Sequence, residues 1–225
     1  MINWVEIKEG NVSYFEMAME LYDKAFPIEV REPHDIFLRG LQYAQNYYHF
    51  LLGFEGDQLV SFATGHYFAN INSGFIVYIA TNLHARSSGI GSKTLMKIED
   101  LLNNDAISAG NSSIKAIYLE TETQELVHTE VEKQDYIKRN RFFSGNNYVK
   151  YNEINYLQPP LHDDVKDMPL NLLIKYPGNT NLSKEEIKLA VKTIYKEKYF
   201  EINEIDKMVL NQCLRKMGFE EDEFF

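Results

Sequence analysis

The 225-residue sequence contains a single cysteine, Cys213. One cysteine excludes an intrachain disulfide and any zinc site built from several thiolates. No apolar run approaches the roughly 18 residues that suggest a membrane-spanning helix, and the amino-terminal residues lack the basic-then-apolar pattern of a signal segment. These absences lead us to expect a cytoplasmic protein with no metal site and no membrane partner.

Basic residues are fewer than acidic ones. The 23 lysines and arginines and the 33 aspartates and glutamates give a net charge of −10. A general nucleic-acid binder needs a basic face to neutralise phosphates, so nucleic acid is not expected as a partner. An acidic balance suits a cationic ligand, although many proteins are acidic for solubility alone. Apolar residues make up 44 % of the chain, which is ample for a core.

The most informative stretch is a glycine-bearing loop between a predicted strand and a predicted helix. Residues 75–79 are β-branched, aromatic and uncharged, which is typical of a buried strand. Apolar residues then recur at helical spacing from Leu95 to Leu102. Between them, Gly89 and Gly91 let backbone amides approach a ligand, and the start of the helix presents unsatisfied N–H donors. This stretch predicts an anion site, for which phosphate is the usual occupant.

Two common phosphate loops do not fit this stretch. A P-loop needs glycine followed directly by lysine, whereas Ser92 separates Gly91 from Lys93. A dinucleotide fingerprint needs a third glycine, and that position holds Thr94. The pattern that fits is Arg-x-x-Gly-x-Gly over 86–91, which resembles the acyl-CoA pyrophosphate loop of the GCN5-related N-acetyltransferase (GNAT) family. An ordinary strand-to-helix turn is the alternative that the motif alone leaves open.

The order of the predicted elements is similar to that of the same family across residues 1–176. The elements are a strand at 2–7, a helix opened by a Ser13–Glu16 capping box, a helix at 34–45, strands at 48–54, 59–69 and 75–81, a helix at 92–104, a strand at 114–120, a helix at 125–143, and strands at 148–156 and 168–176. The resemblance implies an α/β (α+β) fold. Its sheet is mixed, mostly antiparallel and flanked by helices.

Pro177 and Gly178 break this pattern, and we place a domain boundary there. The acetyltransferase-like domain then covers 1–176, and 177–225 is a C-terminal helical extension with an acidic tail. A Ser183–Glu186 capping box opens the first helix of this extension, and its second helix ends near Gly218. The extension either packs on the domain or contacts a second copy of the chain, so a homodimer is left open.

The resemblance implies transfer of an acetyl group from acetyl-CoA to a primary amine of a small molecule or peptide, by direct attack on the thioester. Acetyl-CoA is then a co-substrate, and no metal is required. Arg86 would add a charge-assisted hydrogen bond to a phosphate, and a backbone amide at Ile79 or Ala80 would polarise the thioester carbonyl. The residues implied in binding acetyl-CoA are Ile79, Ala80, Thr81, Arg86, Ser87, Ser88, Gly89, Ile90, Gly91 and Ser92.

The acceptor amine must lose a proton, since only about one part in a thousand of an alkyl amine is neutral at pH 7. The candidate bases are Glu120 and Glu122, at the end of the fifth predicted strand, and Glu29, between two prolines. A solvated carboxylate is the alternative interpretation of each. With Glu32 and the acidic balance of the chain, they favour a cationic acceptor such as a polyamine or a lysine-like group. We expect His84 to be positional and His66 to belong to the core or a sheet edge.

The family usually protonates the leaving thiolate with a tyrosine that follows its fourth helix. In the corresponding run, 142–148, Phe143 occupies the tyrosine position and Asn147 the glycine position. Tyr136 and Tyr78 are candidate replacements, and a thiolate can also leave unaided. Two further interpretations stay open. One is a non-catalytic acyl-CoA-binding sensor or interaction module of the same fold, and the other is a structural protein whose glycine loop is only a turn.

Overall fold

The computed structural model contains both strands and helices and describes residues 1–43, 47–85, 88–162, 165–178 and 181–220. The chain divides into two units, Met1–Ile114 and Lys115–Phe225. Each unit has its own strands and helices. The predicted domain boundary at 176/177 stays a proposal.

In the described part of the first unit, four antiparallel strands lie in the order β1-β2-β3-β4. They are β1 (Asn3–Ile7), β2 (Tyr48–Glu55), β3 (Gln58–Phe68) and β4 (Ser73–Thr81). All residues of β3 except the first are buried, because helices cover both faces of the sheet. The predicted hairpin and the strand that follows it are therefore present.

Two helices, α1 (Phe15–Ala25) and α2 (His34–Tyr43), share one core with β2, β3 and β4. A third, α3 (Ile90–Ser108), packs on β3 and β4 from the other face. Gly74 permits this close packing, because a Cβ there would lie only 2.9 Å from Leu102 Cδ1. The start of α3 is thus held against the sheet that carries β4.

The capping box predicted at Ser13 is wrong. The Ser13 hydroxyl donates to Asn11 Oδ1 at 2.7 Å, and Tyr14 takes the N-cap position of α1 without a side-chain hydrogen bond. Ser13 therefore forms a local hydrogen bond with Asn11 and does not cap the helix. The helix α1 ends at Ala25, before Pro27, and α2 begins at His34, as predicted. Its predicted end at Gln45 lies outside the described residues.

In the second unit the other described strands pair with β8 (Met168–Lys175), all of them antiparallel. These partners are β5 (Ala116–Glu122), β6 (Val149–Lys150) and β7 (Leu157–Gln158). The strand predicted over 148–156 is wrong except at β6. Tyr148 and Tyr156 are buried but lie outside the strands, so burial alone gives this run a strand-like pattern.

The helices of this unit begin with α4 (Glu130–Gly145), which has a Thr129–Glu132 capping box. The helix α5 (Lys184–Thr193) opens with the predicted Ser183–Glu186 capping box. It runs directly into a π-helix, Ile194–Phe200, which we call the π segment. The last helix is α6 (Lys207–Lys216), followed by Gly218 at a φ of 84°. Within the described ranges, no helix combines the length and apolar character needed to span a membrane.

Candidate functional site

The glycine loop lies between β4 and α3, as the sequence predicts. The amide of Asn82 donates to the Val60 carbonyl at 2.8 Å and closes the ladder at the end of β4. A short 3₁₀ helix, Leu83–Ala85, follows, and α3 then begins at Ile90. Arg86 and Ser87, which the resemblance assigns to acetyl-CoA binding, lie outside the described residues.

Gly89 is the N-cap residue of α3 and has left-handed backbone angles, φ 77° and ψ 5°. Residues with a side chain rarely adopt this conformation. A Cβ built on Gly89 would meet nothing within 4 Å, so the glycine meets a backbone requirement and not a crowded site. Ser88 and Gly89 are both exposed. The start of α3 is therefore reachable by a ligand, and its N-cap residue has no side chain to accept from the first-turn amides.

Thr94 fixes the first turn of α3 to the sheet. Its Oγ1 lies 2.9 Å from the Ile90 carbonyl oxygen and 2.8 Å from Ser61 Oγ, and both hydroxyl-bearing residues are fully buried. Ser61 pairs in turn with Thr81, the last residue of β4. The helix start and the strand end are thus tied to the same point of β3.

The last three residues of β4, Ile79 to Thr81, pair with residues 61–63 of β3. Ala80 is buried, whereas Ile79 and Thr81 are half-buried. A pocket of about 350 Å³ opens beside this strand end, against the carboxyl end of α1. It is lined by Leu21, Lys24, Ala25, Thr81, Asn82, Leu83 and His84. The predicted thioester position therefore lies next to a cavity in the first unit.

The three candidate bases lie in different surroundings. Glu29 is exposed on a short 3₁₀ helix of the first unit, Ile28–Val30. In the second unit, Glu122 forms an ion pair of 2.6 Å with Arg139. Glu120, on the same strand, is half-buried and accepts hydrogen bonds from several side chains. Of the three, Glu120 has the most constrained carboxylate.

The candidate acids also differ in their contacts. The Tyr78 hydroxyl donates to the Val30 carbonyl at 2.9 Å, so it already has a backbone acceptor. Tyr136 is half-buried on α4. Phe143, at the family's tyrosine position, is buried and packs edge-on against Tyr148.

The two predicted histidines are placed as follows. His66 is buried and stacks with Tyr48 and Phe68, which agrees with a core position. His84 is exposed in the loop, and its amide donates to Asn82 Oδ1 at 3.2 Å.

Sequence reasoning missed the side chains around Glu120 and those around His49. The His49 ring nitrogens lie 2.7 Å from Glu6 Oε1 and 2.7 Å from Asp105 Oδ2. Burial opposes a charge on His49, but its hydrogen bonds to both carboxylates raise its pKa to about 9. These residues come from β1, β2 and α3, so no local pattern could have linked them. Within the described residues, no cluster of three or more His, Cys, Asp or Glu side chains could hold a metal ion.

Comparisons with known proteins identify a family and a fold. Residues 15–125 match the model of the acetyltransferase (GNAT) family. A GNAT-family protein from Bacteroides thetaiotaomicron has a similar structure, with 21 % identity, a TM-score of 0.66, and coverage of 88 % of this chain and 98 % of that one. No curated protein matches the sequence.

Two further solved structures are similar. The ribosomal-protein-S18-alanine N-acetyltransferase from Escherichia coli has 12 % identity, a TM-score of 0.54, and coverage of 81 % of this chain and 99 % of that one. An aminoglycoside 6'-N-acetyltransferase complexed with coenzyme A has 15 % identity, a TM-score of 0.53, and coverage of 80 % and 99 %. At these identities the similarity establishes the fold.

The predicted fold class and the family resemblance are confirmed. The architecture is mixed α/β, with an open, mostly antiparallel sheet flanked by helices, as in the similar structures. The glycine loop, Gly89 included, lies within the residues that match the family. This chain therefore carries an acetyltransferase domain of the GNAT family, which the family match places at residues 15–125.

Proposed function

We propose that this protein is an acetyl-CoA-dependent N-acetyltransferase that acts on a primary amine of a small molecule or peptide. The observation that carries the proposal is the left-handed, solvent-exposed Gly89 at the start of α3, inside the family-matched residues. A helix start whose N-cap residue has no side chain favours an anion, and coenzyme A carries a diphosphate.

The loop would bind the co-substrate mainly through its backbone. The first-turn amides of α3 would donate to the diphosphate, and Arg86 would add a charge-assisted hydrogen bond. The pantetheine arm would lie along Ile79–Thr81, where an amide at Ile79 or Ala80 polarises the thioester carbonyl. Thr94 supports this role because it holds the helix start at a fixed distance from β3.

The acetyl-transfer step then requires that the acceptor amine lose a proton to a base. The amine nitrogen bonds to the thioester carbon, the carbon–sulfur bond breaks, and the amine proton passes to a base while the thiolate leaves. We propose Glu120 as this base, with Glu29 as the alternative, and Tyr136 as a donor to the thiolate. The half-buried, hydrogen-bonded carboxylate of Glu120 supports the first choice.

A second candidate function is that of a non-catalytic acyl-CoA sensor of the same fold. Phe143 favours it, because this buried ring cannot donate a proton at the position where the family has a tyrosine. The cytoplasmic location and the homodimer also stay proposals.

Release of free thiol from acetyl-CoA separates the two functions. We expect release with at least one member of an amine panel made up of polyamines, lysine and peptides with a free amino terminus. Polyamines should be favoured if the acceptor is cationic. Tight coenzyme A binding without thiol release for any amine would contradict the enzyme and support the sensor.

A further inference from the structure

Three side chains from two separate parts of the second unit converge on the carboxylate of Glu120. Tyr199 Oη lies 2.9 Å from each carboxylate oxygen, and Gln158 Nε2 donates to Oε2 at 3.1 Å. Tyr156 donates a further, short hydrogen bond to Oε1. The two tyrosines are each 2 % exposed, whereas Glu120 keeps a larger part of its surface in solvent. Buried donors therefore hold the carboxylate of a half-buried residue.

Tyr199 comes from the π segment, far outside the family-matched residues 15–125. π-Helices are rare, mostly span one turn, and are frequent at functional sites. The π segment packs the rings of Tyr195 and Tyr199 edge-on, with centroids 5.5 Å apart. The Tyr195 hydroxyl donates to the carbonyl of Leu157, the residue next to Gln158. The π segment thus contacts Glu120 directly and also supports the strand that carries Gln158.

Proton positions in this cluster follow from the burial of its phenols. Burial raises the pKa of Tyr156 well above its usual value, and the Glu120 charge raises it further. Burial, the neighbouring Cys213 and the Glu120 charge act in the same direction on the pKa of Tyr195. Tyr156 and Tyr195 therefore keep their protons and act as donors. Hydrogen bonds of this kind favour the ionised form of the carboxylate that accepts them.

Charged and titratable groups from several elements of the second unit surround Glu120. The side chains that bond to Glu120 or face it are Tyr156, Gln158, Tyr195 and Tyr199, and behind Tyr195 lie Cys213, Asp167 and Lys216. Lys216 Nζ lies 2.9 Å from Asp167 Oδ1, so these two outer charges are paired with each other.

We propose that Tyr199 and Tyr156 are positioning residues for Glu120. Because Tyr199 lies in the C-terminal helical extension, this extension then contributes to acetyl transfer. The two tyrosine hydroxyls hold the Glu120 carboxylate in one orientation. This inference rests on the proposed role of Glu120 as the base. Both tyrosines act through their hydrogen bonds to Glu120 and not by contact with the reacting atoms.

The chain offers a matched control. Tyr118 lies on β5, two residues before Glu120, and is fully buried. Its hydroxyl has no hydrogen-bond partner in the described part of the chain. Tyr118→Phe therefore removes a buried hydroxyl from the same strand without removing a hydrogen bond to Glu120. Thermal unfolding of each variant establishes that it is folded.

The test is a pH titration of the Glu120 side chain by NMR of ¹³C-labelled glutamate, with Glu120→Gln identifying the resonance. We expect Tyr199→Phe and Tyr156→Phe to move the midpoint of Glu120 upward by about one pH unit, because a lost donor disfavours the carboxylate. The acid limb of kcat/KM for an amine accepted from the panel should move by the same amount. Tyr118→Phe should move neither.

Failure of the positioning role and failure of the proposed function give different results in these experiments. An unchanged Glu120 midpoint in both Tyr199→Phe and Tyr156→Phe, with coenzyme A still bound, would overturn this inference alone. A shifted midpoint with an unmoved acid limb would show that the cluster is structural, which also overturns it. Absence of coenzyme A binding by the wild-type protein would instead overturn the proposed function, and with it the positioning role.

Discussion

His49 Nε2 lies 2.7 Å from Asp105 Oδ2 and joins β2 to the last turn of α3. The other ring nitrogen lies 2.7 Å from Glu6 Oε1 on β1. A charged imidazole between two carboxylates thus fixes the carboxyl end of the helix, while Thr94 fixes its amino end. The two contacts together hold α3, and with it the glycine loop, in one place on the sheet.

This arrangement predicts a loss of stability at alkaline pH. The pKa of His49 is about 9 in the folded protein, above its ordinary value of 6.5. The contribution of His49 to the free energy of unfolding is therefore complete below pH 6.5 and is lost as pH rises through 9. Urea unfolding at pH 7 and pH 10 measures this loss, up to about 3 kcal/mol. His49→Gln should remove most of the difference. Equal losses in the variant and the wild type would contradict the assignment.

The same contact predicts a loss of stability in acid. Its hydrogen bond to His49 lowers the pKa of Glu6 below the ordinary value of 4.5, although burial opposes this. The contribution of Glu6 is therefore present above pH 4.5 and lost as pH falls through the lowered value. Unfolding of Glu6→Gln and the wild type between pH 6 and pH 3 checks it. A constant difference in free energy across that range would contradict it.

Gly89 and Gly145 predict opposite effects of one substitution. Alanine at Gly89 forces a side chain into a left-handed conformation, which should cost about 1 kcal/mol and weaken coenzyme A binding. Gly145 ends α4 without a positive φ and with open space around it, so alanine there should leave stability equal or higher. Urea unfolding compares the two. Equal stability of both variants would argue against the left-handed loop.

The buried hydroxyl pair predicts a non-additive result. Thr94→Val removes a partner of the buried Ser61 hydroxyl and should destabilise the protein by about 1–3 kcal/mol. Replacing both partners, Thr94→Val with Ser61→Ala, should cost less than the sum of the single changes. A double-mutant cycle in urea measures the coupling, and strict additivity would mean that the hydroxyls do not interact.

The first unit was predictable from local signals. The strands around Gly56 alternate with clear turn residues, and α3 has a regular apolar stripe, so burial and turn chemistry agree there. Ser13 misled because Asn11 offers its hydroxyl a nearer partner than the helix does. The run 148–156 misled because aromatic residues are buried both in strands and in irregular segments.

The surroundings of the candidate site could not be predicted from the sequence. The π segment continues the apolar stripe of α5, so its periodicity looks like that of an ordinary helix. Glu120 was identified as a candidate, but Tyr156 and Tyr199 lie 36 and 79 residues away from it along the chain. Contacts over such separations come from tertiary packing, which periodicity and spacing do not encode.

Calorimetric titration of the protein with coenzyme A measures whether the glycine loop binds a diphosphate. We predict saturable binding by the wild type and at least about tenfold weaker binding by Gly91→Glu, whose carboxylate would oppose the diphosphate at the start of α3. Gly145→Glu places the same charge on α4 and should bind as the wild type does. No binding by the wild type, or equal binding by Gly91→Glu, would contradict the account.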